Sequence, residues 1–133
     1  MRRLARYLWA APVTAPGLAL AASARWTGGS VRRAEGVVEA SGGWPGSFLG
    51  CAIPGFPIAA ITLGHVVLAA SEEEMGRCRA HERSHVAQYE RWGVLFPLLY
   101  AAASLTALAS GRNAYRDNVF EREADRAADA AAA

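Results

Sequence analysis

The chain has no lysine, only three histidines and only two cysteines among its 133 residues. Its positive charge comes entirely from 14 arginines, which 12 acidic residues nearly balance. This balance leaves no basic stripe of the kind that nucleic-acid binding requires, so we exclude that class of function. Arginine in place of lysine, together with abundant alanine, indicates a GC-rich bacterial genome.

The sequence also lacks internal repeats and any composition shift that would mark two domains. A chain of 133 residues suffices for one hydrophobic core but not for a large cleft between two lobes. An active site in this chain would therefore be shallow or completed by a partner. Cys51 and Cys78 form the only possible disulfide, which an exported protein can make, and two free thiols are the other interpretation.

The first residues are basic, and an apolar stretch leads from them to a small-x-small sequence at 22–24. This pattern predicts a signal peptide or membrane anchor over 1–24, followed by a single domain over 25–133. Pro12 and Pro16 interrupt the apolar stretch, so a helix packed on the domain is the alternative. Export or membrane association at the cell envelope is the expected location, with the cytoplasm as the other possibility.

The most informative segment is His81-Glu82-Arg83-Ser84-His85, an HExxH sequence. Ser71 and Glu74 form a capping box ahead of it, which predicts a helix that begins there and ends at Trp92. Residues four apart lie on one face of a helix, so His81 and His85 can bind the same Zn²⁺. Glu82 projects beside them, where a carboxylate can take a proton from a water on the metal.

A third protein ligand is expected from the segment Glu121-Arg122-Glu123-Ala124-Asp125. Glu121 and Asp125 are also four apart and share a helical face. The first carboxylate can bind the metal, while the second can accept the N–H of a ligand histidine and fix its tautomer. Glu123 would point elsewhere.

These two motifs resemble the HExxH…ExxAD pattern of gluzincin-type zinc metallopeptidases, in particular the CAAX prenyl protease and heat-shock membrane protease group. The resemblance implies His81, His85 and Glu121 as zinc ligands, Glu82 as general base and Asp125 as the partner of a ligand histidine. The block 61–125 also looks like small bacterial proteins in which Gly-His precedes HExxHVxQY. The resemblance covers about half of the chain and rests on motifs alone.

Two further residues have open roles in the predicted site. His65 can stabilise a developing oxyanion or replace Glu121 as third ligand, although a core histidine with its hydrogen bonds satisfied is the simpler interpretation. Tyr115 can donate a hydrogen bond to a tetrahedral intermediate, or it can be a packed loop aromatic.

The apolar run Val94–Ala109 has 16 residues, fewer than the roughly 20 that a membrane span needs. A span here would separate His85 from Glu121 by a hydrocarbon core about 30 Å thick, and the two could not share a metal. We therefore predict a buried core helix, with Pro97 in its first turn and Gly111 just beyond its end.

The fold predicted from these patterns is α+β. A small antiparallel sheet would come from strands over 31–40, 47–53 and 58–70, which glycine and proline separate. The HExxH helix, the buried apolar helix and a C-terminal helix carrying the third ligand would complete it.

The expected function is hydrolysis of peptide bonds in a peptide or protein substrate, with zinc as cofactor. A metal-binding module without turnover, or a small membrane protein with an incidental HExxH, are the alternatives. The patterns leave side-chain specificity and the oligomeric state open.

Overall fold

The computed structural model covers residues 1–133 and combines one four-stranded sheet with five α-helices, which confirms the predicted α+β class. The helices are α1 (Arg2–Trp26), α2 (Gly43–Cys51), α3 (Glu72–Trp92), α4 (Phe96–Ala109) and α5 (Val119–Ala132). The strands are β1 (Ser30–Ala34), β2 (Val37–Ser41), β3 (Ala60–Leu63) and β4 (Val66–Ala69). A single 3-10 turn, Gly93–Leu95, joins α3 to α4.

The sheet has the strand order β1-β2-β4-β3 and is mixed rather than purely antiparallel. β1 with β2 and β3 with β4 form antiparallel hairpins. The two hairpins meet through their second strands, and this central pairing of β2 with β4 is parallel. The long connection through α2 and β3 permits it, because parallel neighbours need a crossover.

Three strand boundaries differ from the prediction. The segment 31–40 turns at Gly36, and the segment 58–70 turns at Gly64, so each contributes a hairpin rather than one strand. The backbone φ angles of Gly36 and Gly64 are 80° and 61°, and residues that carry a Cβ rarely adopt such positive values. The predicted strand 47–53 is instead largely helix α2.

Helix α2 forms where residue preferences alone favoured a strand. Pro45 lies in its first turn, a position in which the missing N–H is not needed. Gly46 packs so closely on β4 that an added Cβ would lie 2.7 Å from the carbonyl oxygen of Ala70. Tertiary packing on the sheet therefore decided this element.

Helix α3 begins and ends where the sequence predicts. The Ser71 side chain accepts a hydrogen bond from the Glu74 backbone N–H at 3.2 Å, and Gly93 ends the helix with a φ of 57°. Met75, Val86 and Tyr89 bury one face of this helix. The same face carries His85 inward, towards α5.

Helix α1 runs unbroken through Pro12 and Pro16 and packs on the sheet. Its small residues allow the close approach: a Cβ on Gly17 would lie 3.0 Å from Val66 Cβ and 3.1 Å from Leu63 Cβ. Ala21 and Ala24 join the same core. This is the packed-helix arrangement, and processing of residues 1–24 stays a prediction.

Helix α4 corrects the prediction of a buried core helix. Pro97 lies in the first turn and Gly111 follows the end with a φ of 72°, as expected, but within the helix only Phe96 and Ala107 are buried. The helix lies at the edge of a small domain. One of its sides packs on α3 and α5, and the other side is exposed. By length and composition alone, the helical stretch Glu72–Ala109 is apolar enough to cross a membrane.

Candidate metal centre

The two histidines of the HExxH sequence lie one helical turn apart on α3 and point the same ring atom at each other. The Nε2 atoms of His81 and His85 are 3.1 Å apart, and the rings stand nearly perpendicular, at 77°. The spacing of four residues produces this approach, because such residues stack on one helix face.

Helix α5 brings Glu121 to the same point. Asn118 caps this helix, accepting a hydrogen bond from the Phe120 backbone N–H at 2.9 Å, and its amide group donates to the Tyr100 carbonyl and the Ser104 hydroxyl on α4. Glu121, in the first turn, therefore has a fixed position. Its Oε2 lies 3.0 Å from His81 Nε2 and its Oε1 lies 3.3 Å from His85 Nε2.

These three side chains can hold a metal ion. One ligand atom from each lies within 4.8 Å of the others. Tetrahedral zinc with bonds of about 2.0–2.1 Å puts neighbouring ligand atoms about 3.3 Å apart. The shortest separations within the group, 3.0, 3.1 and 3.3 Å, are near that value.

The tautomer of His85 is set by Gln88. The Gln88 side-chain Oε1 lies 2.8 Å from His85 Nδ1, while its Nε2 donates to the Phe120 carbonyl and to Glu123. An amide whose nitrogen already donates presents its oxygen as an acceptor, so Nδ1 of His85 carries the hydrogen. Burial lowers the pKa of His85, but Glu121 and Gln88 outweigh burial and raise this pKa, so a cation that binds Nε2 takes the place of a proton there.

Asp125 contacts the corresponding nitrogen, Nδ1, of His81. Its Oδ1 lies 3.0 Å from His81 Nδ1, one turn beyond Glu121 on α5. The charge of a carboxylate there favours a proton on Nδ1 and leaves Nε2 for a cation. The contact is one of distance and charge, without hydrogen-bond geometry, and the roles of Glu121 and Asp125 stay predictions.

The carboxylate of Glu121 is buried, and its Oε1 accepts a hydrogen bond of 2.7 Å from the Tyr100 hydroxyl. Its Oε2 approaches His81 but has no hydrogen-bond partner of acceptable geometry. Burial raises the pKa of Glu121, yet the neighbouring His81, His85 and Tyr100 outweigh burial and hold the pKa far below its usual range. A buried, ionised oxygen without a donor is what a bound cation would satisfy.

Glu82 is also buried, and its position is fixed from the sheet. The Thr62 hydroxyl on β3 donates to Glu82 Oε2 at 2.6 Å. Burial raises the pKa of Glu82, and the hydrogen bond from Thr62 offsets only part of that effect. A buried carboxylate whose pKa is raised takes up a proton more readily than an exposed one.

His65 does not reach this group. It lies at the β3–β4 turn, where its Nε2 is 3.1 Å from Glu90 Oε1 and its ring stacks on Tyr7 at 4.1 Å between centroids. Tyr115 does lie near the site: burial and the Glu121 carboxylate raise its pKa. Its ring is half-exposed and packs edge-on against Phe56.

Three residues of the site were not predicted in these roles. Gln88, Tyr100 and Thr62 contact His85, Glu121 and Glu82, respectively. Gln88 follows the second histidine by three residues, a spacing that could have indicated the contact. No sequence signal distinguishes Tyr100 from its aromatic neighbours or Thr62 from any strand threonine.

The two cysteines are free, and neither belongs to the metal-binding group. Glu123, between the two acidic residues of the motif, turns away to Gln88 and Arg91, as predicted. No family model, curated protein or solved structure matches the chain. The arrangement of side chains is therefore the basis for assigning a function.

Proposed function

We propose that this protein is a zinc-dependent peptide hydrolase whose metal ligands are His81, His85 and Glu121. The observation that carries the proposal is the convergence of three ligand atoms within 4.8 Å. Each histidine also has a side-chain oxygen within 3.0 Å of its Nδ1, and its Nε2 faces the other proposed ligands. Two imidazoles and one carboxylate form a donor set that catalytic zinc sites use.

The side chains divide the chemistry among them. A zinc ion bound there would lower the pKa of a water and polarise a substrate carbonyl. Glu82, held by Thr62, would act as general base towards a water and would return the proton to the leaving amine. Tyr115, beside Glu121, donates a hydrogen bond to the oxygen that becomes negative. His65 has no part in this mechanism because it pairs with Glu90.

The substrate would bind in extended form along β3. This strand lies at the edge of the sheet, hydrogen-bonded to β4 on one side only, and its Thr62 contacts Glu82. β4, by contrast, is paired on both sides, with β2 and with β3, and has no free edge for a substrate. A peptide adding to β3 places its backbone beside Glu82.

The location that we propose is the cell envelope, with the protein exported or membrane-associated. The apolar stretch that ends at Ala109 favours contact with lipid.

Metal content tests the ligand set. Purified wild type is expected to retain about one zinc per chain, because the donor set is complete. His85→Ala and Glu121→Ala are expected to lose it. His65→Ala is the matched control, since it removes a buried histidine outside the group and should keep the metal. Loss of zinc from all variants alike, or none in wild type under zinc-replete conditions, would contradict the proposal.

Hydrolysis is tested separately with Glu82→Gln. This variant should keep the zinc, since Glu82 is not a ligand, and lose hydrolysis of an unstructured protein such as casein by about 100-fold or more. The second candidate function, a metal-binding module without turnover, predicts no hydrolysis that depends on Glu82. It is favoured by one observation: two clefts of about 280 and 180 Å³ are lined by other residues, and neither includes a proposed ligand.

A further inference from the structure

The outer side of α4 is a continuous apolar stripe. Leu98, Leu105 and Leu108 are 69%, 65% and 55% exposed, and exposed alanines fill the positions between them. The inner side of the same helix buries Phe96 and carries Tyr100 to Glu121. The exposed leucines thus have no role in supporting the candidate metal centre.

The start of α1 extends this stripe. Leu4 and Leu8 are each 65% exposed, and Trp9 packs against Gly93 in the turn before α4. α1 and the Gly93–Leu95 turn therefore lie side by side. The exposed leucines of these two neighbouring elements are here called the leucine face, and they are Leu4, Leu8, Leu95, Leu98, Leu105 and Leu108.

The two segments that carry the leucine face contain arginines and no acidic residue of their own, although Glu90 on α3 forms an ion pair of 3.2 Å with Arg6 on α1. The segments 1–34 and 91–116 contain no acidic residue, so all 12 acids of the chain lie elsewhere. Arg2 and Arg3 begin α1, Arg112 and Arg116 follow α4, and all four are exposed without an ion pair. An apolar face bordered by unpaired arginines is complementary to a bilayer with anionic headgroups.

The helix does not need to cross the bilayer to use this face. α4 has 14 residues, about 21 Å of helix, which is shorter than a hydrocarbon core of about 30 Å. Glu121 also returns to within 3.3 Å of His85, on the near side of α4. Only 17% of the most apolar window is buried, so the protein itself does not cover it.

We propose that the leucine face docks on the surface of an anionic membrane, with α4 and the start of α1 lying along the interface. Exposed Trp9 and Trp92 suit the headgroup level, where an aromatic ring with a polar N–H is favoured. A second copy of the chain is the less suitable occupant, since a twofold contact would bring like-charged arginines together. The inference does not depend on zinc or on hydrolysis.

The test is co-sedimentation of the full chain with vesicles, read also by tryptophan fluorescence. Wild type should bind vesicles of equimolar phosphatidylcholine and phosphatidylglycerol more tightly than phosphatidylcholine alone. Leu98→Glu/Leu105→Glu should weaken binding by about tenfold or more, since two charges enter the apolar contact. Ile53→Glu is the matched control: it changes an exposed apolar residue in the loop after α2 and should bind like wild type.

Arg2→Gln/Arg3→Gln should remove most of the preference for phosphatidylglycerol while leaving binding to neutral vesicles. The helical content and zinc content of each variant show whether the fold is kept. No binding of folded wild type to either vesicle overturns the proposal. Equal loss in Ile53→Glu overturns it as well, as does a wild-type dimer that Leu98→Glu/Leu105→Glu dissociates. A chain that binds vesicles but no zinc refutes the proposed function and leaves this inference standing.

Discussion

Two buried glutamates on either side of α3 are both ionised, but by different kinds of partner. Glu39 on β2 lies under three arginines, with contacts of 2.7 Å to Arg32, 3.0 Å to Arg79 and 2.9 Å to Arg83. Burial raises the pKa of Glu39, and the arginines outweigh burial and lower the pKa to about 2. Glu121 reaches the same state through histidines and a tyrosine.

The difference between the partners decides what each glutamate can do. An arginine stays protonated and has no lone pair for a metal, so Glu39 can only be part of an ion cluster. A histidine can lose its proton and offer Nε2 to a cation. A lowered carboxylate pKa therefore does not identify a functional site by itself, whereas the chemistry of its neighbours does.

Exchanging each glutamate for glutamine should separate the two roles most strongly. Glu121→Gln is expected to weaken zinc binding by more than about 100-fold, because loss of a ligand should exceed the loss of a residue that only orients one. Glu39→Gln should bind zinc as wild type does. Competition with a fluorescent zinc chelator measures both affinities.

An equal loss of zinc in both variants would mean that the two glutamates do not differ in role. If Glu39→Gln lost zinc as strongly as Glu121→Gln, the effect would come from a general loss of structure. Far-UV circular dichroism of both variants without metal provides the control. Retention of wild-type affinity in folded Glu121→Gln would show that Glu121 is not a ligand.

The arginine cluster predicts a pH-dependent contribution to stability. Glu39 has a pKa of about 2 in the fold and an ordinary pKa of 4.5, so its ionised form is stabilised by folding. The contribution is complete above about pH 4.5 and is lost as the pH falls towards 2. At neutral pH it amounts to at most about 3 kcal/mol, and less because the arginines are partly exposed to solvent.

Urea unfolding of metal-free protein at several pH values measures this contribution. Glu39→Gln should be less stable than wild type by about 2 kcal/mol at pH 7, and the difference should shrink steadily below about pH 4.5. A difference that is constant with pH would mean that the glutamine disturbs packing rather than removing a charge.

The same contrast explains which parts of the site could be predicted from the sequence. His81, His85, Glu121 and Asp125 come in local pairs four residues apart, and helix geometry alone puts each pair on one face. Thr62 and Tyr100 reach the site from a strand and another helix, so only the folded chain defines their contacts. Two of the arginines that contact Glu39, Arg79 and Arg83, follow it by 40 and 44 residues. No local sequence pattern indicates these contacts.

The fold shows a similar division. The ends of α3 follow from local capping chemistry at Ser71 and Gly93, and they were predicted. Helix α2 and the exposure of α4 depend on what lies next to each segment. An apolar sequence such as 94–109 indicates burial only in general. Whether protein or lipid covers it depends on the rest of the molecule.

The smallest expected effect concerns Asp125, whose side chain is 64% exposed while it contacts His81. Asparagine keeps an oxygen that can accept the Nδ1–H but removes the charge. Asp125→Asn should therefore weaken zinc binding by about tenfold, the low end for a residue that orients a ligand. Asp129→Asn, one turn further along α5, is the matched control and should have no effect.

These two variants remove the same charge from neighbouring turns of one helix. If both weakened zinc binding equally, the acidic residues of α5 would act by attracting the cation at long range, and raising the salt concentration would abolish the effect. A loss confined to Asp125→Asn and insensitive to salt would mean that the contact with His81 Nδ1 is what matters. That outcome would show that a single contact of an exposed carboxylate on α5 supports the metal centre. The arginine cluster around Glu39 has no such contact with a possible metal ligand.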